Sequence, residues 1–159
     1  MTATTEDNIL EAIAELMRQV SPSDVWQTDI GSSVAVADGP VEIEDTTQAE
    51  TRVYTTTDTI NGGKGSEHQD RECRITLAIL VDSLARPPEG GTASQQKSRM
   101  KADHRKALMP TSAQLLLATV RVSNIRYMGS ELIDGVSSAG LIGVRSRVEC
   151  FYKEPITPV

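Results

Sequence analysis

The hydrophobic positions of this chain change period along its length, and the changes divide it into elements. Ile9, Leu10, Ile13, Leu16, Met17 and Val20 recur at the i, i+3, i+4, i+7 spacing of a single helix face, which predicts an amphipathic helix near the start. Thr4, Thr5 and Asp7 offer N-cap oxygens ahead of it, Glu6, Asp7 and Glu11 complement the positive end of its dipole, and Ser21-Pro22 stops it. From Ser23 to Thr57 the pattern reads as short strands with a turn at Asp38-Gly39-Pro40. The best of these is Glu50 to Thr56, where Thr, Val and Tyr favour extended backbone. Asn61-Gly62-Gly63 favours positive φ and predicts the tip of a long hairpin spanning about 57–72. In Arg74 to Val81, Ile75, Leu77, Ile79 and Val81 share one face and the other face is partly apolar, the signature of a central strand covered by a helix.

The stretch Ser83 to Gln96 holds two prolines and two glycines and reads as a connection. A helix follows from about Ser94 to Met109, ended by Pro110. Met100, Ala107 and Leu108 turn to the sheet, and Lys97, Arg99, Lys101, Arg105 and Lys106 turn to water. Leu115 to Met128 and Leu141 to Tyr152 read as two strands joined by a polar turn from Gly129 to Gly140. In the last strand Val144, Ser146, Val148, Cys150 and Tyr152 fall on one face, with Arg145, Arg147, Glu149 and Phe151 on the other. The expected fold is therefore α+β: one domain over 1–159 with a mixed, largely antiparallel sheet, two flanking helices, a long hairpin and a short tail at 153–159.

Composition sharpens this picture. A chain of 159 residues can bury roughly 70% of its unfolded surface without staples. With 38% apolar residues, one Phe and one Trp, its core must be aliphatic, and stacking platforms for bases or sugars are absent. The net charge of −6 argues against a surface that clamps nucleic acid. Cys73 and Cys150, each in a predicted strand, suit reduced thiols better than a disulfide. The opening MTATTEDN has neither a basic nor an apolar leader region, and no apolar run approaches the length of a membrane span. The expectation is a soluble product made inside the cell, with no membrane partner.

Candidate chemistry is thin. Gly62-Gly63-Lys64-Gly65-Ser66 has the ingredients of a phosphate loop, but Gly65 separates Lys64 from Ser66 and the context is a hairpin rather than a strand-to-helix junction. Glu67, His68, Asp70, Glu72 and Cys73 supply ligand types without the paired spacing of a zinc site, and read as a solvated hairpin arm. His104 sits on the basic helix without a nucleophile motif nearby and reads as a surface or interface residue. The sequence thus predicts no enzyme, no cofactor and no metal. The basic helix face suggests self-association: Lys97, Arg99, Lys101, Arg105 and Lys106 could meet Glu42, Glu44 and Asp45, or Glu131 and Asp134, of an identical subunit head to tail.

The ILEAIAELM helix, the long hairpin, the strand RITLAILV, the helix ending DHRKALM, the segment Ile-Arg-Tyr-Met-Gly and the closing Val-Glu-Cys-Phe-Tyr come in an order that resembles the phage tail terminator family, also called tail completion or head-proximal tail proteins. The loop Asn61 to Gln69 and the connection Arg86 to Gln95 are long for that pattern. The resemblance implies a structural protein of the virion neck, assembled in the host cytoplasm as a homohexameric ring on the tail tube. Such a ring ends tube polymerisation and offers a surface for head–tail joining. The partners it implies are further copies of the chain, the tail tube protein, a head-completion or connector protein and, for a contractile tail, the sheath protein. DNA would pass through the lumen without specific binding, eased by six copies of an acidic chain. Asn61, Gly62, Gly63 and Lys64, with Glu131 and Asp134, would be tube- or neck-contact loops. Another neck component, a head-completion or connector-adaptor protein, is the alternative.

Overall fold

The computed structural model describes residues 3–40, 49–61, 72–109, 122–133 and 140–155. Two helices, α1 (Thr5–Arg18) and α2 (Ala93–Leu108), pack with a sheet of five strands: β1 (Val34–Val36), β2 (Glu50–Asn61), β3 (Glu72–Ala85), β4 (Val122–Leu132) and β5 (Ile142–Pro155). The strand order is β1-β2-β3-β5-β4. β1 runs parallel to β2 and every other pairing is antiparallel, which gives the mixed α+β fold expected from the sequence.

Helix α1 begins with a capping box: the Thr4 hydroxyl accepts from the Asp7 amide, and the Asp7 carboxylate accepts from the Thr4 amide. That backbone hydrogen bond holds the Asp7 carboxyl below its ordinary range. The inward stripe of Ile9, Leu10, Ile13, Leu16 and Met17 is buried as its spacing requires. Gly31 lies against the end of the helix and donates to the Val20 carbonyl at 3.1 Å. A Cβ there would stand 2.3 Å from the Val20 oxygen and 2.4 Å from the Met17 oxygen, so only glycine permits this approach.

Both helices lie on one side of the sheet. They share a single core with Val53 of β2, Ile75, Leu77, Ile79 and Val81 of β3, and Val144, Val148 and Cys150 of β5. The alternation in β3 and β5 thus marks the covered face, and β3 is central, as expected. Leu84, Leu141 and the half-buried Ile133 form a second, small cluster. Among the described residues, no helix is long and apolar enough to cross a membrane.

Several boundaries differ from the sequence reading. β3 continues to Ala85 through Asp82 and Ser83, because both polar side chains are paired inside the fold. The connection is correspondingly shorter, and Thr92 caps α2 through a second capping box with Gln95. β4 continues through Gly129 to Leu132, so this part of the predicted turn is strand. A bulge between Tyr127 and Gly129, where Gly129 has φ of 108°, accommodates the glycine. The predicted strand start at 115–121 lies outside the described residues.

Candidate functional site

Helix α2 buries a face that is half polar and half apolar. Gln96, Met100, Asp103, His104, Ala107 and Leu108 are buried, at the i, i+4, i+7, i+8 spacing of a covered helix face. His104, expected at the surface or an interface, is fully buried. Its Nε2 lies 2.7 Å from the Ser83 hydroxyl and its Nδ1 lies 2.7 Å from the Ser146 hydroxyl. Ser83 continues to Thr51 at 2.6 Å, Thr51 donates to the Ile30 carbonyl at 2.7 Å, and Tyr127 reaches Ser146 at 3.3 Å.

The carbonyl end sets the direction of this chain. The Thr51 proton is spent on Ile30, so Ser83 donates to Thr51 and in turn accepts from the ring. His104 therefore carries its proton on Nε2, while Nδ1 accepts from Ser146, which accepts from Tyr127. Burial pushes the imidazole pKa down to about 3, so the ring is neutral at physiological pH. A general base works best with a pKa near the operating pH and needs reach to a substrate proton. This ring has both nitrogens occupied by hydroxyls of the fold. It clamps α2 to β3 and β5.

Asp103 clamps the same helix to the segment after α1. Its carboxylate accepts from the Gln27 and Thr28 amides and, at 2.7 Å, from the Thr28 hydroxyl. Among the described residues, every buried side-chain polar atom has a partner.

The opposite face of the sheet, which no helix covers among the described residues, carries the charge. Asp82 is fully buried there, held by Arg145 through two hydrogen bonds of 2.8 and 2.9 Å and by the Tyr54 hydroxyl at 2.8 Å. The carboxylate keeps the Arg145 guanidinium protonated beyond its ordinary range. Burial first, then the bond to Asp82, pushes the Tyr54 phenol up to about 12. Beside this triad, Leu80, Met128, Glu131, Arg145 and Arg147 border an open hollow of about 390 Å³. Further along, Arg74 of β3 and Lys153 of β5 stand directly opposite one another beside a second hollow floored by Thr76 and Phe151. Like charges in direct register repel.

The expected interface residues distribute unevenly. Arg99, Arg105 and Lys106 are exposed on α2, whereas Lys97 and Lys101 are half-buried. Lys106 donates to the Val25 carbonyl at 3.0 Å and lies 5.6 Å from the centre of the Trp26 ring, which ties part of the basic face to its own chain. Glu131, expected in a loop, lies in β4 in register with Arg145, because the strand is longer than its pattern suggested. Asn61 ends β2. Gly62, Gly63, Lys64, Glu42, Glu44, Asp45 and Asp134 lie outside the described residues. The charged sheet face, with Arg74, Arg145, Arg147 and Lys153, was not singled out from the sequence. The signal was present in the last strand, whose outward positions carry Arg145, Arg147 and Lys153 at period two.

No protein-family model matches the chain, and no curated protein matches it. Among solved structures it is similar to a sheath/tube terminator of an extracellular contractile injection system, PVC, in the extended state, with a TM-score of 0.40 and 12% identity. That match covers 100% of this chain and 62% of the other, so the chain spans less than two thirds of the neighbour's length.

Proposed function

We propose that this chain is a structural virion protein that forms a homohexameric ring on the head-proximal end of a phage tail tube, ends tube polymerisation and supplies a surface for head–tail joining. The observation that carries this reading is the order of elements. An amphipathic first helix, a long hairpin, a central strand, a basic helix and a closing strand fold with both helices on one side, leaving the other sheet face without a helix among the described residues. The buried polar groups support the reading because they are spent on the fold: His104, Asp103 and Asp82 each fasten one element to another.

On this reading the mechanism is geometric and involves no chemistry. One ring face matches the last tube ring and the other refuses a further tube subunit. The exposed Arg99 and Arg105 of α2, together with the charged sheet face, are the contact surfaces it offers to neighbours and tube. The test is the mass of the purified protein by light scattering, with and without tail tubes, joined to electron microscopy of tube ends. A hexamer that caps tubes supports the reading. A monomer that ignores tubes overturns it, and one that joins only head or portal complexes moves the chain to another neck role.

A further inference from the structure

The two helices carry opposite charge on ridges of the same spacing. Asp7, Glu11 and Glu15 are exposed on α1 at i, i+4, i+8, and the side chains of Glu11 and Glu15 are 60% and 56% accessible. Lys97, Lys101 and Arg105 repeat that spacing on α2. Residues four apart stack into one ridge on a helix surface, and such ridges interdigitate when helices pack. Arg18 bridges Glu11 and Glu15, which still leaves the α1 ridge with acid in excess. The α2 ridge has no ion pair of its own: among the described residues the salt bridges use Arg18, Arg52 and Arg145.

The ridges do not meet inside one chain. On α2, Asp103 accepts from the Gln27 and Thr28 amides and Lys106 donates to the Val25 carbonyl, so that flank faces the segment that follows α1. Lys97, Lys101 and Arg105 occupy the other flank, on the side of His104 and Leu108 by helix phase. On α1, Ile9, Ile13, Leu16 and Met17 are buried, and Asp7, Glu11 and Glu15 lie on the side turned away from them. Both helices pack on the same face of the sheet, so the two ridges belong to one layer of the molecule.

We infer that the basic ridge of α2 in one copy docks on the acidic ridge of α1 in the next. The partner is a second copy, because the opposite signs and the common spacing both belong to this one chain. A chain of net charge −6 repels its own kind except where patches of opposite sign face each other. The contact is heterologous, two different surfaces meeting, and such contacts close into rings when the rotation allows. The inference rests on the ring reading and names the surfaces that build the ring.

The experiment reverses one ridge at a time in the full chain. One variant carries Lys97→Glu, Lys101→Glu and Arg105→Glu, and the other carries Glu11→Lys and Glu15→Lys. Mass is measured by light scattering for each variant alone and for an equal mixture. Like charges brought face to face weaken association by on the order of a hundredfold or more. Each variant alone is therefore expected as a monomer with the native circular dichroism spectrum. The mixture is expected to regain the mass of the native ring, because acid then faces base at every junction when the two variants alternate. Arg105→Glu alone and Glu15→Lys alone, both at exposed positions, repeat the pattern with smaller losses if either first variant misfolds. Variants that each still form the native ring overturn the ridge contact and leave the ring reading standing. A mixture of folded variants that stays monomeric overturns it as well, because the two ridges then do not face each other. A native chain that is monomeric alone and with tubes overturns both.

Discussion

His104 donates from Nε2 to the Ser83 hydroxyl across 2.7 Å, and this places the only fully buried imidazole of the described chain inside a one-directional run of hydrogen bonds from Tyr127 to the Ile30 carbonyl. His104→Ala opens a cavity and leaves two buried hydroxyls short of a partner, which costs about 3 kcal/mol or more. Urea unfolding of the variant reads this. A loss below about 1 kcal/mol would show that water replaces the ring at little cost.

The same residue makes stability depend on pH. Its folded pKa is lowered to about 3 from 6.5, so the unfolded chain takes up a proton that the folded chain refuses. The stabilisation is complete above about 6.5 and is lost as pH falls towards 3, at up to about 1.4 kcal/mol per pH unit from this group. The urea midpoint is expected to fall over that window more steeply in the native chain than in His104→Ala, whose remaining slope belongs to other groups.

Asp103→Ala removes the acceptor of the Gln27 and Thr28 amides and of the Thr28 hydroxyl. The expected loss is about 2 to 4 kcal/mol. Hydrogen exchange localises it: the Gln27 and Thr28 amides should exchange much faster in the variant, while the amides of β3 lose protection only in step with global stability.

Arg145→Met strands a fully buried carboxylate with Tyr54 as its one remaining side-chain partner among the described residues, at an expected cost of about 2 to 4 kcal/mol, since the guanidinium is partly exposed. Asp82→Asn combined with Arg145→Met should recover part of this. A double-mutant cycle on thermal or urea unfolding measures the coupling, and additive losses would mean the pair contributes nothing as a pair.

Cys150 is buried, and burial pushes its thiol up to about 12, while Cys73 is only half-buried. A disulfide reagent at neutral pH should therefore titrate one thiol readily in the native protein and the second roughly a thousandfold more slowly or only on unfolding. Two thiols reacting at equal rates would contradict the packing of β5.

Periodicity carried the elements whose buried face is apolar. The stripe of α1 and the alternation of Ile75 to Val81 appear in the sequence because each inward position is a hydrocarbon, and the structure buries them as that pattern demands. Helix α2 was legible as a helix, but half of its inward face was not. Asp103 and His104 look solvent-facing in the sequence, and only the partners brought from Gln27, Thr28, Ser83 and Ser146 make their burial affordable. Asp82 and Ser83 misled in the same way, reading as the end of a strand that in fact continues to Ala85.

The sequence by itself determined the α+β class, the cap of α1, the central strand and the two faces of the last strand, since these depend on spacings within one segment. Tertiary structure alone decided that both helices cover the same face and that β5 enters between β3 and β4. Those choices rest on contacts between residues far apart in the chain. A periodic pattern fixes which side of an element is buried but not which other element buries it.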